Sequence, residues 1–81
     1  MPEVSLFGGL RDAVGGAESV TVEGATIRDL LQNLGRDYPL MRERIKQGIA
    51  ISVDGVIYRD DWEQPIPEGA EVGLLSRIAG G

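Results

Sequence analysis

Apolar and polar residues alternate in short bursts punctuated by glycine and proline, and one segment breaks that rhythm. Val4 and Leu6 share one side of a two-residue period, so Val4-Ser5-Leu6-Phe7 predicts a strand ended by Gly8-Gly9. Residues 10–14 leave room for one helical turn before Gly15-Gly16. Ser19-Val20-Thr21-Val22 then alternates again with β-branched side chains, a second strand. From Thr26 the period changes. Ile27, Leu30, Leu31 and Leu34 fall at i, i+3, i+4 and i+7, the apolar stripe of a helix over 26–34. Thr26 is placed to cap its first amides, Asp29 suits a capping-box variant, and Gly35 predicts a left-handed exit. Pro39 fits the first turn of a shorter helix ending near Lys46. Ile49, Ile51 and Val53 alternate into Asp54-Gly55, a strong hairpin signal because both residues tolerate positive φ, and Val56-Ile57-Tyr58 returns. An irregular stretch follows, in which Trp62 is expected to cap one end of the core. Pro67-Glu68-Gly69 turns into a last strand over 71–75, with Val72 and Leu74 facing inward.

That order predicts an α+β fold, a mixed sheet of four to five strands packed by one main helix. Eighty-one residues suit a single domain over 1–81. The first and last strands can lie side by side in the middle of such a sheet. Residues 76–81 would then leave a central strand as a flexible tail.

Composition narrows the function. A net charge of −5 argues against nucleic acid and anionic membrane as partners. Cysteine and histidine are both absent, which removes disulfides, thiolates, the usual metal ligands and the usual general base. The glycine pairs lack a phosphate-binding pattern, and Asp60, Asp61 and Glu63 lack the spacing of a calcium loop. The expectation is no metal, no bound cofactor and no catalysis by the isolated chain. No basic-then-apolar leader opens it, and no apolar run approaches the ~20 residues that span a bilayer, so a cytoplasmic location is expected. Arg36, Arg42, Arg44 and Lys46 hold half of the eight positive charges, either as a solvated helical face or as a docking patch for an acidic partner.

The chain stops at Ile78-Ala79-Gly80-Gly81. Nothing larger than a methyl group projects from the last three residues, so the terminal carboxylate sits on a thin stalk that can enter a narrow channel. With the elements above, the sequence resembles the ubiquitin-like sulfur-carrier proteins, which include the small subunit of molybdopterin synthase and the thiamin-pathway carrier. The residues that carry the resemblance are Leu6-Phe7-Gly8-Gly9-Leu10-Arg11-Asp12, the helix 26–34, Ile66-Pro67-Glu68-Gly69-Ala70-Glu71-Val72, and the terminal four.

The resemblance implies the β-grasp fold and a chemistry. A carboxylate is ionised at neutral pH and is a poor electrophile, so it needs activation. A ubiquitin-activating-type adenylating enzyme would use ATP to convert the Gly81 carboxylate into an acyl-adenylate. A sulfur donor would then displace AMP and leave a thiocarboxylate. In this reading Gly81 carries the reacting carbon, Gly80 and Ala79 give clearance, and Ile78 and Leu75 anchor the stalk. For Leu75, ordinary packing on the second face of the sheet is equally open.

The strand followed by a short turn at Arg11, and the glycine pair after Val14, are similar to the molybdopterin branch. There the chain would be the small sulfur-donating subunit beside a molybdopterin synthase large subunit. Members of that branch commonly carry an aromatic residue and a proline pair before the tail, where this chain has Leu74-Leu75-Ser76-Arg77. A thiamin-pathway carrier, a ubiquitin-like modifier joined to lysines through Gly81, and a plain binding module therefore stay open. Lys46 is the sole lysine, which disfavours branched self-chains. The body is expected to dock its activator through an apolar patch, with Glu68 and Glu71 steering the approach.

Overall fold

Val4 and Leu6 of the first strand pair in register with Val72 and Leu74 of the last, and all four side chains are buried on one face. This computed structural model describes residues 2–76. Its strands are β1 (Glu3–Leu6), β2 (Ser19–Thr21), β3 (Ile49–Val53), β4 (Val56–Tyr58) and β5 (Val72–Ser76). The sheet order is β2-β1-β5-β3-β4, with β1 and β5 parallel and every other pair antiparallel. Helices α1 (Ile27–Asp37) and α2 (Pro39–Gln47) cross between β2 and β3, and a 3₁₀ segment (Gly8–Val14) joins β1 to β2. This is the β-grasp arrangement, with the first and last strands adjacent at its centre.

The four buried stripe residues of α1, Ile27, Leu30, Leu31 and Leu34, meet Val4, Leu6, Ile51, Val72 and Leu74 in one core. Met41 adds the contribution of α2, and Leu10, Ala13 and Val14 that of the 3₁₀ segment. The N-terminus of α1 is fully capped. Thr26 Oγ1 accepts from the Asp29 amide at 3.2 Å. The amides of Ile27 and Arg28 donate to the carbonyls of Gln64 and Trp62 at 3.0 and 2.8 Å. The irregular stretch 59–66 thus supplies acceptors that a helix start otherwise leaves to water. Trp62 packs half-buried against the core, as expected.

Strand ends differ from the sequence reading by a residue at β1, β2 and β5, and three differences bear on the fold. Gly35 does not end α1. The helix runs on to Asp37, and Gly35 is buried within it. A β-carbon there would come 3.1 Å from Arg42 Cγ, and Arg42 Nε donates to the Gly35 carbonyl at 3.0 Å. The glycine therefore serves the close approach of α2. The stop comes at Tyr38 (φ −130°, ψ 87°), because the residue before a proline is pushed out of the helical region. The 3₁₀ segment starts at Gly8, two residues before the expected turn. At the other end β5 includes Ser76, paired with Ile49, so the strand extends one residue into the segment assigned to the tail.

The Asp54-Gly55 turn has both residues at positive φ, 50° and 85°, and joins Val53 directly to Val56 across the hairpin. Asp54 also ties the hairpin to the entry of β5. Its amide donates to the Glu71 carbonyl at 2.8 Å, and its carboxylate accepts from the Glu71 amide at 2.9 Å.

Truncating Leu30, which is fully buried, to alanine is expected to cost about 2–5 kcal/mol in chemical denaturation; a near-zero change would mean that the stripe is not the core face. Gly24→Ala is expected to destabilise as well, by about 1–3 kcal/mol. An added β-carbon would lie 2.6 Å from the Leu30 backbone, which cannot swing aside. A variant as stable as the parent would show that the 22–26 connection has slack.

Candidate functional site

The sheet has a second face. Alternation that sends Val4, Leu6, Val72 and Leu74 inward sends Ser5, Gly73, Leu75, Ala50, Ser52 and Ile57 outward, away from the helices. Register aligns Ser5, Gly73, Ser52 and Ile57 in one row across four strands, and Leu75 with Ala50 in the next. Phe7 continues β1 in extended conformation and lays its ring over Gly73. A β-carbon on Gly73 would meet the Phe7 ring at 3.1 Å and Ser52 Oγ at 2.8 Å. The missing side chain makes the seat for the aromatic ring.

The result is an apolar patch on a surface built of small residues. Phe7 is 49% and Ile57 54% exposed, so each presents about half of an apolar side chain to solvent on this face. Beside them lies a depression of about 320 Å³ lined by Ala50, Ile57, Arg59, Leu75 and Ser76. Ser76 is the last described residue, so this patch flanks the point from which the terminal segment continues. Arg59 supplies a cation at its edge.

For Leu75 the structure shows the packing on the second face of the sheet. Its side chain is half-buried against Ala50 and also borders the depression beside Ser76. Gly81, Gly80, Ala79 and Ile78 lie outside the described residues. Glu68 and Glu71 sit before the start of β5, at the end of the strand opposite Ser76, so any steering by them acts from the far side of the molecule. Sequence reasoning missed Phe7, Ala50, Ile57, Gly73 and Arg59 as one surface. The apolar residues standing at polar positions of the alternation were the available signal.

Among the described residues no three acidic side chains are grouped to hold a metal ion, and no polar side chain is buried. No helix of the described chain is long and apolar enough to cross a membrane. The arrangement offers an exposed apolar surface beside the last described residue.

Gly73→Ala tests the seat. Its β-carbon is expected to lift the Phe7 ring, at a cost of about 1 kcal/mol, with the ring resonances of this sole phenylalanine shifting. Unmoved Phe7 resonances would show that the ring does not rest on Gly73.

Comparison with known proteins agrees with this geometry. The small archaeal modifier protein 1 (SAMP1) from Methanosarcina acetivorans superposes with a TM-score of 0.82 at 26% identity, covering 98% of this chain and 94% of that one. A chain of the BexX/CysO complex from Amycolatopsis orientalis gives 0.80 at 22% identity, with both chains covered in full. A chain of the complex of subunits 1 and 2 of molybdopterin-converting factor from Helicobacter pylori gives 0.68 at 20% identity, covering 98% and 96%. No protein of curated function matches in sequence. The ThiS family matches over residues 4–81. With nearly its whole length matched and a β-grasp body under it, the chain belongs to the ThiS family of ubiquitin-like sulfur carriers.

Proposed function

We propose that the chain acts as a protein-sized cosubstrate whose Gly81 carboxylate is adenylated by an ATP-using activating enzyme and then converted to a thiocarboxylate, with the sulfur delivered to molybdopterin biosynthesis. One observation carries this reading. The strand that leads to the terminal glycines is the central one of the sheet, and an exposed apolar patch flanks the end of it. A partner that grips Phe7, Ile57 and Leu75 receives the terminal segment at a fixed origin and direction.

The division of labour follows from the physics. Holding a terminal segment in a channel costs roughly 1–2 kcal/mol per residue in backbone entropy, which contacts on the body must offset. Burying Phe7, Ile57 and Leu75 against a partner offers that compensation through the hydrophobic effect. Gly80 and Ala79 let a channel close around the backbone, and Ile78 gives it one apolar hold. The carboxylate oxygen attacks the α-phosphorus of ATP and pyrophosphate leaves. Hydrosulfide released by a sulfur donor then attacks the carbonyl carbon, the bond to AMP breaks with AMP as leaving group, and loss of the remaining S–H proton leaves the thiocarboxylate. The chain contributes the reacting carbon and its presentation, and ATP is bound by the partner. The large subunit of molybdopterin synthase is the second partner in this reading, supported by the likeness to a chain of the Helicobacter pylori molybdopterin-converting factor complex.

The likeness to SAMP1 favours a second reading, in which the activated Gly81 acylates lysines of other proteins. The two share activation and differ in the nucleophile that takes the acyl group. Intact-mass measurement after activation separates them, since a carrier gains one oxygen-to-sulfur exchange and a modifier appears joined to a second polypeptide.

Adding one residue after Gly81 is expected to abolish ATP–pyrophosphate exchange with the activating enzyme, at an unchanged melting temperature. Replacing Gly80 by valine is expected to slow exchange, because a branched β-carbon collides with a channel shaped for glycine. Exchange by the extended variant at the parental rate would sink the carrier reading and the modifier reading together.

A further inference from the structure

The helix layer carries a surface on the opposite side of the sheet from the Phe7–Leu75 patch. Where α1, α2 and the connection 59–66 meet, a groove of about 400 Å³ opens to solvent. Its floor is apolar: Leu31 is 7% exposed, and Ile45 and Trp62 pack half-buried against the core. Its rim is cationic, formed by Arg28, Arg42 and Lys46, and no carboxylate is among the lining residues. The chain as a whole carries −5, so this local excess runs against the global balance.

The rim cations differ in how they are held. Arg28 pairs with Glu63, and Arg42 is pinned through Nε to the Gly35 carbonyl, which fixes its guanidinium at the edge of the groove. Lys46 is 76% exposed and stands 3.9 Å from Glu43, an exposed contact of little energy. Tryptophan and arginine around a small apolar depression match the composition of binding hot spots. The net negative charge disfavours nucleic acid or an anionic membrane as occupant, and the groove holds one or two apolar side chains.

We propose that this groove docks a linear acidic segment of a partner protein, with a leucine or phenylalanine side chain over Leu31, Ile45 and Trp62 and carboxylates against Arg42 and Lys46. Charge complementarity selects the occupant, since the groove joins an apolar floor to a rim of Arg28, Arg42 and Lys46, of which Arg42 is held by a backbone carbonyl rather than a carboxylate. The groove lies on the helix side of the sheet and the Phe7–Leu75 patch on the other. A partner can therefore hold the carrier here while a second protein engages the chain end. The inference stands independently of whether Gly81 is activated.

Trp62 is the sole tryptophan, so its emission reports occupancy of the groove directly. The probe is an array of synthetic peptides with aspartate or glutamate at alternate positions and leucine or phenylalanine between, free of tryptophan and tyrosine. Saturable shifts of Trp62 emission are expected from members of the array, weakening as salt rises, because rim charges act through screened electrostatics. Lys46→Glu, on a side chain exposed enough to spare the fold, is expected to weaken binding about tenfold. Arg42→Glu is expected to do the same, with circular dichroism confirming its fold. The proposal is overturned by an array that gives no saturable shift, by equal binding of lysine-for-acid control peptides, or by binding indifferent to Lys46→Glu. A concentration-dependent shift without peptide would identify a second copy as the occupant and overturn it too.

Discussion

The parallel pairing of β1 with β5 is the constraint on which the rest of the molecule depends. It joins the first described strand to the last, so about seventy residues must be placed before it can close, and long-range contacts of this kind are entropically expensive to form. Once closed, it places four buried side chains, Val4, Leu6, Val72 and Leu74, as the floor on which α1 lies. It also inserts β5 between β1 and β3, so both edges of the last strand are satisfied within the sheet. The last described strand thereby lies at the centre of the sheet.

The same insertion divides the labour between the two faces of the sheet. On the inner face Val4, Leu6, Ile49, Ile51, Val53, Val72 and Leu74 are branched, buried side chains packed into one core. On the outer face small residues, Ser5, Gly73, Ser52 and Ala50, leave the sheet bare enough for Phe7 and Ile57 to stand exposed above it. Glycine at 73 is required because a side chain would meet both Ser52 and Phe7. Glycine at 24 is required for the opposite reason, on the inner side, where the backbone of α1 comes down. A recognition surface and a core are thus separated by the thickness of one sheet.

Much of this was legible before any coordinates. The stripe of α1, the cap at Thr26 and the Asp54-Gly55 hairpin follow from local periodicity or local turn chemistry, whereas the central pairing of the end strands was open to the sequence only as an arrangement the order of elements allows. What was hidden depends on partners distant in the chain. Gly35 illustrates the limit: glycine serves either a positive φ or a close approach, and only the arrival of Arg42 decides between them. The capping role of 59–66 was invisible because carbonyl groups carry no sequence signature. Phe7, Ala50, Ile57 and Leu75 stand on four separate segments, and only strand register brings them together. The groove of Leu31, Ile45 and Trp62 was hidden likewise, although two of its cations, Arg42 and Lys46, belong to the basic stretch the sequence shows.

The central position of β5 has a mechanical consequence. A protein that draws the chain end into a channel exerts a pull along the axis of the strand. The hydrogen bonds to β1 and β3 run roughly across that axis, so they resist in shear and share the load. A strand at the edge of a sheet, peeled sideways, would yield one bond at a time. The carrier is therefore built so that its handle can be tugged without unravelling what it is attached to.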